Sequence, residues 1–335
     1  MTDVILGRTG IKVDRNGFGC LPIQRVSFEE AGRLLCKAYE NGITFFDTAR
    51  AYSDSEEKMG RALSDKRDKL YIATKTMAST AEGFWKDLEI SLKNLGTDYV
   101  DILQFHNPSF CPRPGDESGL YDAALEAKAQ GKLRFIGLTN HRLYVAGEAA
   151  ESGLYDTLQF PFSYLAGEQE RALVETCRAN NTGFIAMKGL SGGLITNSAA
   201  AYAFVAQFDN VLPIWGIQRE WELDEFLSYV KNPPVMNEEL SAVIQADRKE
   251  LIGEFCRGCG YCLPCPAEID IPNSARMALM LRRARPQDYL TDAFKEKMSR
   301  IPNCIHCNHC KDHCPYGLDT PRLLADNWKD YQQFL

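Results

Sequence analysis

From residue 17 to about 230, short apolar runs alternate with stretches whose apolar positions recur at helical spacing. Eight runs read as strands: residues 17–20, 43–46, 70–74, 100–105, 133–138, 157–160, 183–187 and 211–215. Their starts recur about every 28 residues, which suits a strand, a helix and their loops. Several are almost unbroken apolar runs, as strands buried on both faces should be. Between them, Ser27 and Glu30 form a capping box ahead of Ala31, Leu34, Leu35, Ala38 and Tyr39, and Gly42 stops the run. Ser53 and Glu56 predict a second box, ahead of Met59 and Leu63. Eight strand–helix units predict an α/β protein built as a closed (β/α)8 TIM barrel. An open, doubly wound sheet would bring G-x-G-x-x-G after its first strand. The first strand here runs into Gly19-Cys20-Leu21-Pro22 instead. Ahead of the barrel, residues 4–6 and 11–13 flank Gly7-Arg8-Thr9-Gly10, which predicts a hairpin plugging the barrel bottom.

After Pro233-Pro234 the pattern changes. Residues 238–255 read as one helix, and residues 274–285 and 288–298 as further helical sequence. The expected division is a barrel over 1–235, a linking helix over 236–254 and a smaller, mainly helical domain over 255–335. Composition fits this: 335 residues, 45% hydrophobic and 25% charged, form an ordinary globular chain. The net charge of -7 argues against nucleic acid as a partner. No apolar run approaches the roughly 20 residues of a membrane helix. The first residues, from Met1 on, lack the apolar stretch of a secretory signal. A cytoplasmic location is expected, with no membrane association.

Active sites of such barrels lie where the strands end. The second strand runs into Asp47 and, five residues on, Tyr52; the third ends at Lys75 and the fourth at His106. These four side chains make chemical sense together. A phenol is a poor acid–base group near neutrality. A neighbouring ammonium lowers its pKa, and a buried carboxylate holds that ammonium in place. A histidine beside them orients and polarises a carbonyl. The chemistry that suits such a group is proton exchange with a carbonyl or alcohol oxygen, coupled to hydride transfer.

These residues resemble the aldo-keto reductase family. Asp47 and Tyr52 stand in its F-D-T-A-x-x-Y pattern, Lys75 in its A-T-K and His106 in its H-N form, over roughly residues 4–230. The resemblance implies a small-molecule carbonyl or alcohol substrate and NADP or NAD as cofactor, bound without a Rossmann fold. It implies that Thr139, Asn140 and Gln159 hold the carboxamide. It further implies that the run containing Gly189, Leu190 and Gly193 follows the pyrophosphate, with Met187 where the family often has an aromatic residue. Gly216 and Arg219 then fall at the adenosine end. Arg219 is the only base there, followed by Glu222, Asp224 and Glu225, which suits a free ribose hydroxyl better than a phosphate and keeps NAD open.

Eight of the 12 cysteines fall between Cys256 and Cys314. In a chain without a secretory signal such spacing favours metal over disulfides. Cys256, Cys259, Cys262 and Cys265 form one run, and Cys304, Cys307, Cys310 and Cys314 a second, each ending in Cys-Pro. The second matches the C-x2-C-x2-C-x3-C-P run of bacterial ferredoxins, whose fourth cysteine ligates the other cluster. The expectation is two 4Fe–4S clusters, one on Cys256, Cys259, Cys262 and Cys314, the other on Cys304, Cys307, Cys310 and Cys265. The long helical separation of the runs resembles the α-helical ferredoxins. Zinc is the alternative metal.

The leading expectation is a carbonyl–alcohol oxidoreductase with fused clusters that carry electrons or serve structure. One alternative is a ferredoxin-linked electron-transfer enzyme with an electron-transfer protein as partner. A hydride carries two electrons and a cluster passes one, so that reading calls for a flavin. The other alternative is a non-catalytic redox-sensing module.

Overall fold

The computed structural model describes residues 3–251, 254–283 and 286–335. A hairpin opens the chain, with β1 (Asp3–Ile5) antiparallel to β2 (Lys12–Asp14) and Val4 opposite Val13. The next strands are β3 (Gly17–Gly19), β4 (Phe45–Asp47), β5 (Tyr71–Thr76) and β6 (Val100–His106). They are followed by β7 (Leu133–Thr139), β8 (Thr157–Pro161), β9 (Gly183–Met187) and β10 (Val211–Gly216). Each pairs in parallel with the next, and β10 closes on β3 with Trp215 opposite Phe18. The result is the expected closed eight-stranded barrel. The second barrel strand starts at Phe45 rather than at Ile43.

The hairpin sits where the pattern put it. Its Val4, Leu6, Ile11 and Val13 share one core with Phe45, Ala73, Ile102, Ile185, Leu212 and Ile214 from the strands. Burying these apolar side chains together is what holds the plug in place. Arg8 ties its turn down by donating to Gly153 O (2.7 Å) and Asn180 O (2.6 Å).

The first capping box forms: Ser27 N–H donates to Glu30 Oε2 (3.1 Å) and Glu30 N–H to Ser27 Oγ (3.2 Å), at the start of helix Phe28–Glu40. The second does not. Helix Ser55–Leu63 starts after Asp54 with no side-chain cap. Glu56 is instead drawn inside, where it pairs with Arg50 and accepts from Thr74 Oγ1 (2.7 Å). A buried carboxylate must be paired and hydrogen-bonded, and these partners hold it away from the helix end.

The chain groups into two compact units: Met1–Gly189 with Tyr202–Met236, and Leu190–Ala201 with Asn237–Leu335. This grouping differs from the expected division in two places. Leu190–Ala201 goes with the second unit, where Arg276 donates to Gly192 O (2.9 Å) and Arg283 to Leu194 O (2.6 Å). Helix Glu238–Glu250 also belongs to that unit, because Arg283 pairs with its Asp247 (2.5 Å) and Glu250 (2.6 Å). The second unit is helical, with helices at Ile271–Ser274, Met277–Arg283, Asp292–Ser299, His309–Asp312 and Thr320–Tyr331. The expected helix over 238–255 ends at Glu250, and Ile252 and Gly253 lie outside the described residues. The helix expected over 274–285 is broken between Ser274 and Met277, and Ala284 and Arg285 lie outside the described residues. Met1 and Thr2 do so as well. Among the described residues no helix is long and apolar enough to cross a membrane.

Candidate active site and cysteine-lined cavities

Parallel strands deliver their last residues to one rim, and three of the four expected site residues arrive that way. Asp47 ends β4, Lys75 is the penultimate residue of β5, and His106 ends β6. Lys75 Nζ donates to Asp47 Oδ1 (2.5 Å) and to Thr48 O (2.6 Å). Asp47 also accepts from Gln104 Nε2 (3.1 Å) and Gln159 Nε2 (3.4 Å). Tyr52 returns from the loop after β4. Its ring centre stands 5.2 Å from Lys75 Nζ and 5.8 Å from the His106 ring, which it meets edge-on. The four expected side chains are therefore brought together.

Burial dominates their electrostatics. It pushes the Asp47 carboxyl up and the Lys75 ammonium down, and their mutual contact opposes both shifts. It also pushes the Tyr52 phenol well above its ordinary value, and the Asp47 charge adds to that. The expectation that Lys75 draws the phenol down is not met. The ammonium is committed to Asp47 and Thr48 and faces the aromatic ring. Tyr52 thus holds its proton at neutral pH, as a donor must. Burial and the Lys75 charge push His106 down to about 3, so its imidazole is neutral there.

Two participants went unnoticed in the sequence. Gln104 lies opposite Lys75 in the register between β5 and β6. A side chain at Gly137 would come within 2.9 Å of Gln104 Cγ and 2.4 Å of Thr157 Oγ1, so the missing Cβ makes room for the amide. The signal was available: Gln104 and His106 are two apart on one strand and share a face. The second is His141, buried just past β7, whose pKa burial pushes well below the ordinary value, with the Lys188 charge adding.

A buried neutral imidazole has a definite sign in acid. The folded pKa lies below the unfolded one, so the unfolded chain binds more protons. Stability is complete above the ordinary histidine value and is lost as pH falls through it. At pH 5 the loss is about 2 kcal/mol for a fully buried ring. Urea unfolding at pH 7.5 and pH 5 should show this acid penalty, and His141→Asn should make the slope shallower. An unchanged slope in His141→Asn would refute a neutral, buried His141.

The residues expected to hold a dinucleotide are placed unevenly. Gln159 is fully buried, and its Oε1 has no hydrogen-bond partner among the described residues, which leaves an acceptor for a carboxamide N–H. Thr139 is buried and reaches Met187 Sδ (3.9 Å). Asn140 is largely consumed by the backbone. Its Oδ1 accepts from His141 N–H (2.9 Å) and Arg142 N–H (2.8 Å), and its Nδ2 donates to Pro108 O (2.8 Å). Gly189 lies flat on Trp215, where a Cβ would stand 2.5 Å from the indole. Leu190 and Gly193 fall in the second unit, and there Gly192 makes room for the Arg276 guanidinium. The glycines of this run thus answer to packing within the chain. Gly216 is exposed at the end of β10. Arg219 is exposed over the Trp221 ring (6.0 Å), and Glu222 is occupied by the Gln218 and Arg219 amides. Two further side chains of the barrel are engaged within it. Arg50 pairs with Glu56, and Phe162 is buried among Phe184, Phe204 and Phe208.

In the second unit the eight clustered cysteines line two cavities. One cavity is lined by Cys256, Cys259, Cys262 and Cys314, with Cys310 on its wall. A second is lined by Cys265, Cys304, Cys307 and Cys310, with Cys262 on its wall. Cys256, Cys259 and Cys314 thus fall on one cavity, Cys265, Cys304 and Cys307 on the other, and Cys262 and Cys310 on both. Among the described residues no three His, Cys, Asp or Glu side chains are placed to hold a single metal ion. A cubane holds its thiolates farther apart than one tetrahedral ion does, and thiols ringing a cavity fit the larger group. His309 and His313 stack on each other (4.0 Å).

Comparison with known proteins agrees with both halves. Residues 15–210, more than half of the chain, match the Aldo/keto reductase family, and residues 255–319 match the 4Fe-4S dicluster domain. The chain is 31% identical over 210 residues to L-galactose dehydrogenase of Arabidopsis thaliana, covering 57% of this chain and 66% of that protein. It is 30% identical over 221 residues to aldo-keto reductase YhdN of Bacillus subtilis, covering 56% and 62%. The match thus spans just under two thirds of these relatives' lengths. An aldo-keto reductase structure from Bacillus halodurans shares the fold, with a TM-score of 0.66 at 19% identity over 76% of this chain and 98% of that one. The chain belongs to the aldo/keto reductase family and continues into a 4Fe-4S dicluster domain.

Proposed function

We propose that the barrel interconverts a small-molecule carbonyl and its alcohol with NADPH or NADH. One observation carries the reading: Asp47, Lys75, Tyr52 and His106 meet at one rim beside Gln159 Oε1, which has no partner among the described residues. When bound, the dinucleotide supplies hydride to the carbonyl carbon. Tyr52, kept protonated by burial, gives its proton to the developing alkoxide oxygen. Lys75 holds positive charge against the ring as the phenolate forms, and Asp47 with Gln104 fixes that ammonium. The neutral His106 orients the carbonyl oxygen. Gln159 and Thr139 hold the carboxamide. Lys37 engages Glu220 and Asp224, and backbone amides engage Glu222, which leaves Arg219 as an exposed cation there and favours NADPH. Carbonyl-dependent oxidation of NADPH by the anaerobically purified chain tests the reading, and no turnover on aldehydes, ketones or sugars would refute it.

The two cysteine-lined cavities hold 4Fe–4S clusters in the crossed arrangement. Cys314→Ser should then halve bound iron and sulfide. Adding Cys259→Ser should remove little more, because both thiolates serve one cluster. Adding Cys307→Ser instead should empty the chain. Iron analysis that gives the opposite pairing would overturn the crossing. A role in electron transfer to a protein partner is favoured by one observation, the solvent exposure of Cys307 at the edge of the second cavity.

A further inference from the structure

We propose that Arg257 sets the two clusters apart, so that the one on Cys256, Cys259, Cys262 and Cys314 takes up an electron first. The inference rests on the cluster reading above. Its basis is a backbone repeat that presents different side chains to the two cavities. In residues 256–262 the third and fifth positions, Gly258 and Gly260, are left-handed (φ 63° and 86°). In residues 304–310 the matching positions, His306 and Asn308, are left-handed too (φ 54° and 60°). The Cys-Pro tails repeat as well. Glu268 and Gly317 share a left-handed φ (54° and 63°), and their amides donate to Cys265 O (2.9 Å) and Cys314 O (3.2 Å). Asp270 and Asp319 then stand at the caps of helices Ile271–Ser274 and Thr320–Tyr331. His and Asn visit this region more readily than other non-glycine residues, so both runs can hold the same backbone with different side chains.

On this common frame the second position of the run is Arg257 in one copy and Ile305 in the other. The third position of the tail is Tyr316 in one and Ala267 in the other. Because the fourth cysteines cross over, Arg257 and Tyr316 line the same cavity, while Ile305 and Ala267 line the other. The Arg257 guanidinium is fixed. It lies 3.8 Å from the Phe255 ring centre and 5.3 Å from that of Tyr316, and Nη1 donates to Phe255 O (2.7 Å). Ile305 is 64% exposed, and among the described residues no lysine or arginine lines its cavity.

Reduction adds one negative charge to a cluster, and net charge nearby is one of the levers on its potential. A guanidinium keeps its charge throughout. At about 7 Å and an effective dielectric of about 20, one unit charge shifts a one-electron equilibrium about fifty-fold, or about 100 mV at 59 mV per tenfold. Exposure of Cys307 favours reduction of the second cluster, so matched substitutions at the two positions are needed to isolate the charge.

The test is an EPR-monitored potentiometric titration of the full chain, purified anaerobically and reduced with dithionite through mediators. Two one-electron waves are expected. Arg257→Ile should lower the upper wave at least tenfold in the reduction equilibrium and leave the lower one in place, while Arg257→Lys should keep most of the separation. Ile305→Arg, at an exposed position, should raise the lower wave. If Arg257→Ile loads both clusters and moves neither wave, or moves both alike, the proposal fails. If the Arg257 variants lose iron, Ile305→Arg decides alone, and an unmoved lower wave overturns the idea. A wild-type chain with no cubane signal would instead overturn the cluster reading, and this inference with it.

Discussion

Tyr52→Phe is expected to cut carbonyl-dependent NADPH oxidation by about 10²–10⁴-fold, the usual contribution of a positioned proton donor. The substitution removes one hydroxyl and leaves the ring that Lys75 and His106 face. Dinucleotide affinity, read by fluorescence titration, should therefore stay within about twofold, and the loss should appear in turnover. The pH dependence follows from burial, which pushes the phenol well above its ordinary value. Carbonyl reduction uses the protonated form, so its rate should hold level from neutral into mildly alkaline solution. Alcohol oxidation needs the phenolate, so its rate should climb with pH over the same span. The neutral His106, pushed down to about 3, adds no inflection between pH 5 and 8. A Tyr52→Phe variant that keeps more than about a third of wild-type turnover would place the proton donor elsewhere.

The barrel was legible because strands buried on both faces have to be apolar throughout, and each of the eight expected runs overlaps a strand. The four rim residues were legible because three of them end strands, which places them at one rim before any side chain is placed. What escaped was tertiary. Ser53-x-x-Glu56 has the letters of a capping box, but letters do not say whether Glu56 turns to the helix end or inward to Arg50 and Thr74. The glycine run from Gly189 to Gly193 was expected to follow a pyrophosphate, and its Gly189 and Gly192 are needed in any case for Trp215 and Arg276. The Tyr52 pKa escaped for the same reason. The residue types promise a lysine beside a phenol, while the sign of the shift depends on burial and on where the ammonium is already bound. The cysteine runs were legible because ligand spacing is local, and the expectation that the fourth cysteine crosses over comes from the same spacing rule.

Lys75→Met should destabilise the barrel by about 3–5 kcal/mol, the range for removing one partner of a buried ion pair. The lysine makes two charge-assisted contacts, with Asp47 and Thr48 O, and both it and Asp47 are buried. Methionine matches the stem in volume, so the loss measures an abandoned carboxylate more than a cavity. Gln104 and Gln159 still donate to Asp47, which limits the damage without cancelling the charge. The deficit should depend on pH with a definite sign. Burial already pushes the Asp47 carboxyl up, and losing the ammonium pushes it further. A folded pKa above the unfolded one means that the folded variant binds more protons, so its deficit against wild type shrinks as pH falls from 7 towards 5. Urea unfolding followed by tryptophan fluorescence reads this mainly from the barrel, which holds Trp85, Trp215 and Trp221, while Trp328 lies in the second unit. The double variant Lys75→Met/Asp47→Leu should regain most of the loss, since an apolar replacement for a buried pair is often close to neutral. A Lys75→Met deficit under about 1 kcal/mol, or one that stays constant with pH, would mean that Asp47 carries no charge in the folded barrel. Lys75 would then have no anionic partner to hold its charge against the Tyr52 ring.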